Sequence, residues 1–122
     1  TLFPYTTLFR SIARGLVQET EILILDEPTS NLDIKHQIYV TALLQEIAVR
    51  KGVMVIMISH NLNVASMYAD KVILMSPPGT VKSVGEATDV ITEENVCDAY
   101  SVVCKIVENE GRPMMLLSRE QV

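Results

Sequence analysis

Two short apolar runs dominate the hydrophobic pattern of this chain. Residues 22–25, ILIL, lead directly into Asp26, Glu27 and Pro28, and residues 53–58, VMVIMI, lead into Ser59 and His60. A continuous apolar run of this length, closed by polar residues, is the pattern of a strand buried on both faces of a parallel sheet. Charged side chains are almost never fully buried unless paired, so Asp26 and Glu27 belong at the strand's end. Between the two runs the period changes. Val40, Leu43, Leu44 and Ile47 fall at i, i+3, i+4 and i+7, which predicts a helix over residues 34–50 with one buried face. Asp33 is placed to cap its start, and Lys51-Gly52 to end it.

The flanking pattern predicts smaller elements. Residues 1–10, TLFPYTTLFR, show neither helical nor strand period. From Ser11 a short helix is predicted, with Ile12, Leu16 and Val17 on one face. A helix over 61–68 would turn Leu62, Ala65 and Ala69 inward, and a third strand covers 71–75. The turn SPPGT then leads to a hairpin partner over 81–84. Thr92 followed by Glu93 and Glu94 marks a helix start, since acidic residues are favoured at the positive end of the helix dipole; this helix runs to about Tyr100. Strands over 102–107 and 114–117, joined by EGRP, complete the chain.

Strand, helix and strand make a βαβ unit, and parallel strands joined by a crossover helix end at the same edge of their sheet. Asp26, Glu27 and His60 are therefore expected at one edge, although 33 positions separate Glu27 from His60. Ligands of open α/β sheets bind beyond the carboxyl ends of the strands. The residue types suit a metal-bound phosphate. Mg²⁺ takes oxygen ligands and keeps several waters, so Asp26 could hold it directly or through a water. Phosphoryl transfer to water needs charge neutralisation and a positioned nucleophile. Glu27 could polarise that water, and His60 could meet the terminal phosphate from the opposite side.

Composition narrows the classes. The chain has 122 residues, is 48% apolar and carries a formal net charge of −5. That is enough for a domain with a real core, and it lacks the basic stripe expected of a nucleic-acid binder. Cys97 and Cys104 fit neither zinc nor redox spacing and read as reduced thiols. The apolar runs fall far short of the roughly 20 residues that span a bilayer, and no signal peptide is visible. The methionines read as gap-filling core, and His36 as a solvated residue on a helix flank.

The stretch ILILDEPTSNLD with a downstream ISHNL resembles the catalytic half of ATP-binding cassette (ABC) ATPases. Residues 22–27 resemble the Walker B strand with its catalytic Glu27, residues 30–33 (SNLD) the D-loop, and His60 the switch histidine. The resemblance implies an α/β, P-loop NTPase fold, mainly parallel, with ATP as substrate and Mg²⁺ as cofactor. It makes Glu27 and His60 catalytic, and Asp26, Ser30, Asn31 and Asp33 nucleotide-binding, with Asp26 at the Mg²⁺. In the family the D-loop crosses a dimer interface, so Asp33 would both cap its helix and reach a partner.

Residues 35–37 (KHQ), HNLNVASMYADKVILM and the helix DVITEENVCDAYSV resemble importers of iron–siderophore, haem or cobalamin. The implied protein hydrolyses ATP to drive uptake, docks on a membrane permease, pairs head to tail with a second ATPase subunit, and lies on the cytoplasmic face of the membrane without spanning it. The alternative is a non-transport ABC ATPase of DNA repair or the ribosome. The Gly-rich phosphate loop is not among these residues, and LFPYT stands where the LSGGQ signature is expected. The reading is thus of a C-terminal half, inactive alone, with residues 1–10 a non-native leader resembling a translated sequencing adapter, 11–85 the ATPase core and 86–122 an extension.

Overall fold

The computed structural model describes residues 6–121. The chain forms two compact units, one ending at Asn61 and the other beginning at Leu62.

The first unit contains helix α1 (Thr6–Val17), strand β1 (Ile22–Asp26), helix α2 (Ile34–Lys51) and strand β2 (Met54–Ile58). β1 and β2 pair in parallel, with Leu23 opposite Val55 and Asp26 opposite Ile58, as the βαβ reading requires. Ile12, Leu23, Leu32, Val40 and Leu44 form the core, and Leu8, Phe9, Leu16, Leu25, Ile47, Val53, Val55 and Met57 pack on it. Of the predicted face of α2, Val40, Leu44 and Ile47 join this core but Leu43 does not, and Thr41 is buried beside them. Gly52 ends that helix in the left-handed region at φ 64°, a conformation that glycine adopts without the Cβ penalty of other residues. Gly15 serves packing instead. A Cβ there would lie 2.8 Å from the Leu23 side chain, so its absence lets α1 approach β1.

Two expectations are corrected in this unit. α1 begins at Thr6 rather than Ser11, because Leu8 and Phe9 join Ile12 and Leu16 on the packed face; Val17 faces outward. Residues 1–5 of the leader reading lie outside the described residues. The strands are also not buried on both faces. Leu23, Leu25, Val55 and Met57 turn to the helices, while Ile22, Ile24, Met54, Ile56 and Ile58 are exposed. A continuous apolar run reports what a strand can bury, not how many layers cover it.

The second unit comprises α3 (Leu62–Tyr68), β3 (Val72–Ser76), β4 (Thr80–Gly85), α4 (Ala87–Val90), α5 (Glu93–Tyr100), β5 (Cys104–Asn109) and β6 (Arg112–Leu117). Each of its strand pairs, β3–β4 and β5–β6, is antiparallel, so the parallel part of the α/β fold is the β1–β2 pair. Val64, Leu74, Ala87, Val90, Ile91, Val96 and Ala99 are among its buried apolar residues. Thr92 caps α5 as expected, its hydroxyl accepting from the Asn95 N–H at 3.1 Å.

α3 departs from its apolar reading: Val64 and Ser66 are its buried residues, not Ala65 and Ala69. Hydrogen bonding explains it. Ser66 Oγ donates to the Pro113 carbonyl at 2.8 Å, and the Asn63 amide both donates to and accepts from the Met115 backbone. Polar side chains thus bind α3 to β6. α4, at four residues, is too short for a hydrophobic period to reveal. Met54 and Met75 are exposed rather than core. Cys97 and Cys104 are free thiols. Among the described residues no helix is long and apolar enough to cross a membrane.

Candidate functional site at the carboxyl ends of the parallel strands

The parallel ladder runs one bond past β1. The Glu27 N–H donates to the Ile58 carbonyl at 2.9 Å, which holds the two strand ends level. Glu27 itself has φ 48°, an uncommon left-handed conformation for a residue with a side chain. The chain turns out of the sheet here, and the Glu27 carboxylate swings toward β2. Its Oε1 contacts His60 Nε2 directly. Glu27 is about one-third exposed and His60 lies open to solvent at 84%, so the pair sits at a surface that a ligand can reach. Asp26, exposed at the tip of β1, is its immediate neighbour.

The loop from 27 to 33 is anchored from inside. Thr29 and Leu32 are buried, the Ser30 N–H donates to the Glu27 carbonyl at 3.3 Å and the Leu32 N–H to the Thr29 carbonyl at 3.1 Å. Ser30 and Asn31 are left exposed. Asp33 then opens α2: its carboxylate accepts from the His36 N–H at 3.0 Å and lies 2.7 Å from His36 Nδ1. The backbone hydrogen bond from His36, helped by its ring, holds the Asp33 carboxyl below its ordinary value. His36 is accordingly a partner of Asp33 and not the solvated flank residue expected.

Two residues that lie within the KHQ and ISHNL stretches, but to which the sequence reading assigned no site role, complete the surroundings. Gln37 Nε2 donates to the Leu32 carbonyl at 2.9 Å, and Asn61 Nδ2 donates to Gln37 Oε1 at 2.9 Å. The available signal was their placement, Gln37 one turn after the cap and Asn61 directly after His60.

The structure thus brings Glu27 and His60 into contact; Asp26 precedes Glu27 at the tip of β1, and Ser30, Asn31 and Asp33 follow along the adjoining loop. Among the described residues no three His, Cys, Asp or Glu side chains converge on a possible metal position. The Asp26 carboxylate is an oxygen donor of the kind that Mg²⁺ takes. A shallow cleft between Leu16, Val17, Glu21, Gly52 and Val53 lies at the opposite, amino ends of the strands and shares no residue with this set.

These features define the class: an α/β fold whose acidic and imidazole groups share one strand edge. The relatives make the class specific. The chain is 39% identical over 105 residues to an uncharacterized ABC transporter ATP-binding protein of Methanocaldococcus jannaschii, covering 86% of this chain and 41% of the relative. It is 36% identical over 107 residues to the ferric enterobactin transport ATP-binding protein of Escherichia coli, covering 86% of this chain and 39% of that one. Against the hemin import ATP-binding protein of Rhodococcus jostii it is 34% identical over 113 residues, 91% of this chain and 38% of the relative.

A solved structure of an ABC transporter assigned to the metal-chelate type, in an inward-facing conformation, superposes with a TM-score of 0.75 at 25% identity, over 88% of this chain and 44% of that one. No family model matches the chain. The protein is thus a relative of the ABC transporter ATP-binding subunits, siderophore and haem importers among them, and it spans about two fifths of the length of the curated relatives it matches.

Proposed function

We propose that this segment supplies the water-activating part of the ATP site in an ABC importer ATPase that energises uptake of an iron–siderophore, haem or cobalamin-type chelate. The observation that carries the reading is the Glu27–His60 contact at the carboxyl edge of the parallel strands, beside Asp26. The transport names of the enterobactin and hemin relatives support the solute class. Residues 11–85 act as the ATPase core and 86–122 as an extension.

In this reading Asp26 would hold Mg²⁺ through an oxygen or a water, and the ion would supply neutralisation of phosphate charge. Glu27 orients the attacking water and polarises it, which is the task left to protein in phosphoryl transfer. Glu27 and His60 are in direct contact. A terminal phosphate entering between them offers His60 a new anionic partner and leaves the Glu27 carboxylate facing the water. Ser30, Asn31 and Asp33 face a second ATPase subunit across the nucleotide, and a membrane permease receives the work, with the assembly on the cytoplasmic face of the membrane.

The test is Glu27→Gln in a subunit that carries this segment together with a phosphate loop. General acid–base groups contribute about 10²- to 10⁴-fold, so phosphate release falls by at least about a hundredfold while ATP binding is retained. Unchanged hydrolysis removes Glu27 from the mechanism. The 122-residue polypeptide by itself, whose sequence holds no Gly-rich phosphate loop, neither binds Mg-ATP at micromolar concentration nor hydrolyses it. Tight binding by calorimetry contradicts that statement.

A further inference from the structure

Gln37 occupies an unusual position. It lies in the first turn of α2, its N–H donating to the Asp33 carbonyl at 2.9 Å, yet its side chain does not point along the helix surface. The amide is used at both ends. Its Nε2 donates to the Leu32 carbonyl, in the loop that follows Glu27. Its Oε1 accepts from the side-chain amide of Asn61, 24 positions further along the chain. Asn61 is in turn fixed by its own N–H, which donates to Ser59 Oγ at 3.1 Å, and it is the residue after His60. Thr41 Oγ1 donates to the Gln37 carbonyl at 2.7 Å, which anchors the helical turn from which the amide reaches out.

We propose that Gln37 is a positioning residue, a two-ended amide that ties the Asp33 loop to the His60 segment so that a displacement of either is transmitted to the other. This deepens the reading of the site as an ATP site and rests on it. Asp33 and Asn31 lie at the outer end of the loop, and His60 lies against Glu27. A loop held only by its backbone could shift without moving His60. With Gln37 in place, moving the Leu32 carbonyl strains a part-buried bond whose other end is attached beside the imidazole. An amide suits this task where other residues of similar size fail. Glutamate keeps an acceptor for Asn61 but has no donor for Leu32, and leucine keeps neither. A part-buried polar group left without its partner is destabilised by the loss of that bond, so the two halves are held or released together.

The test uses the 122-residue chain without nucleotide and reads backbone and side-chain resonances together with amide hydrogen exchange. Asn61→Ala removes the far end of the link and is expected to shift the amide resonances of residues 31–33 and speed their exchange. Gln37→Leu is expected to shift the His60 ring and backbone resonances as well as the loop. Gln37→Glu is expected to free the loop while the Asn61 side-chain amide stays close to its original shift. Thr41→Val, which removes a bond to the backbone of the same turn, is expected to leave the His60 resonances in place.

The proposal is overturned if Asn61→Ala leaves residues 31–33 unchanged, or if Gln37→Leu perturbs α2 alone. Should Gln37→Leu not fold, the Asn61→Ala result decides. Because no nucleotide is present, failure here leaves the Glu27→Gln hydrolysis result untouched. Transmission seen alongside normal hydrolysis in Glu27→Gln would retain the link and reject the ATP-site role of Glu27.

Discussion

Asp33 shows how one carboxylate can be read at more than one level. Its side chain caps α2 through the His36 N–H, and that bond, with the nearby ring, lowers its pKa. A lowered folded-state pKa means that the cap's contribution is present above the ordinary carboxylate value and is lost as pH falls through the lowered one. Acid titration followed by circular dichroism should therefore show a helical loss at low pH that Asp33→Asn, an uncharged cap of comparable quality, does not share. An identical titration in the two proteins contradicts the assignment. Asp26, Glu27 and His60 were legible because each closes an apolar run, so the pattern itself marks the strand end. Gln37 was not legible. A glutamine in a first helical turn breaks no period, and its partner Asn61 becomes a neighbour only once the parallel pairing has formed.

At the scale of elements the parallel pair and its crossover helix carry the first unit. Leu44 is 3% exposed in the core between α2 and the sheet, and truncating a buried leucine costs about 2–5 kcal/mol. Leu44→Ala should lower unfolding stability by about 3 kcal/mol, read as a shift of the denaturation midpoint without change of slope. Gly52→Ala, forced to keep φ 64°, should cost about 1 kcal/mol. α2 was legible because its apolar spacing is long and regular. The start of α1 was not, because Leu8 and Phe9 gain meaning only from the core they meet. The exposed row Ile22, Ile24, Met54, Ile56 and Ile58 could not be foreseen either, because an apolar side chain carries no record of whether a second layer lies above it.

That row matters most for the molecule as a whole. Ile22 stands opposite Met54 and Ile24 opposite Ile56, so the outer face of the sheet is a continuous apolar surface, and two-stranded sheets are marginal in water without further packing. The 122-residue chain should associate with rising concentration, and Ile24→Lys, at a position already 66% exposed, should reduce that association in light scattering while leaving the unfolding midpoint near its original value. Equal association in the variant would place the sticky surface elsewhere.

The central claim is that Asp26, Glu27 and His60 serve one nucleotide. Paramagnetic relaxation tests it most directly, with Mn²⁺ in place of Mg²⁺ in a subunit that carries this segment and a phosphate loop. Addition of Mn-ATP should broaden the backbone resonances of residues 26–27 and the His60 ring together, with the same dependence on nucleotide concentration. Broadening at residues 26–27 that leaves the His60 ring sharp would contradict it.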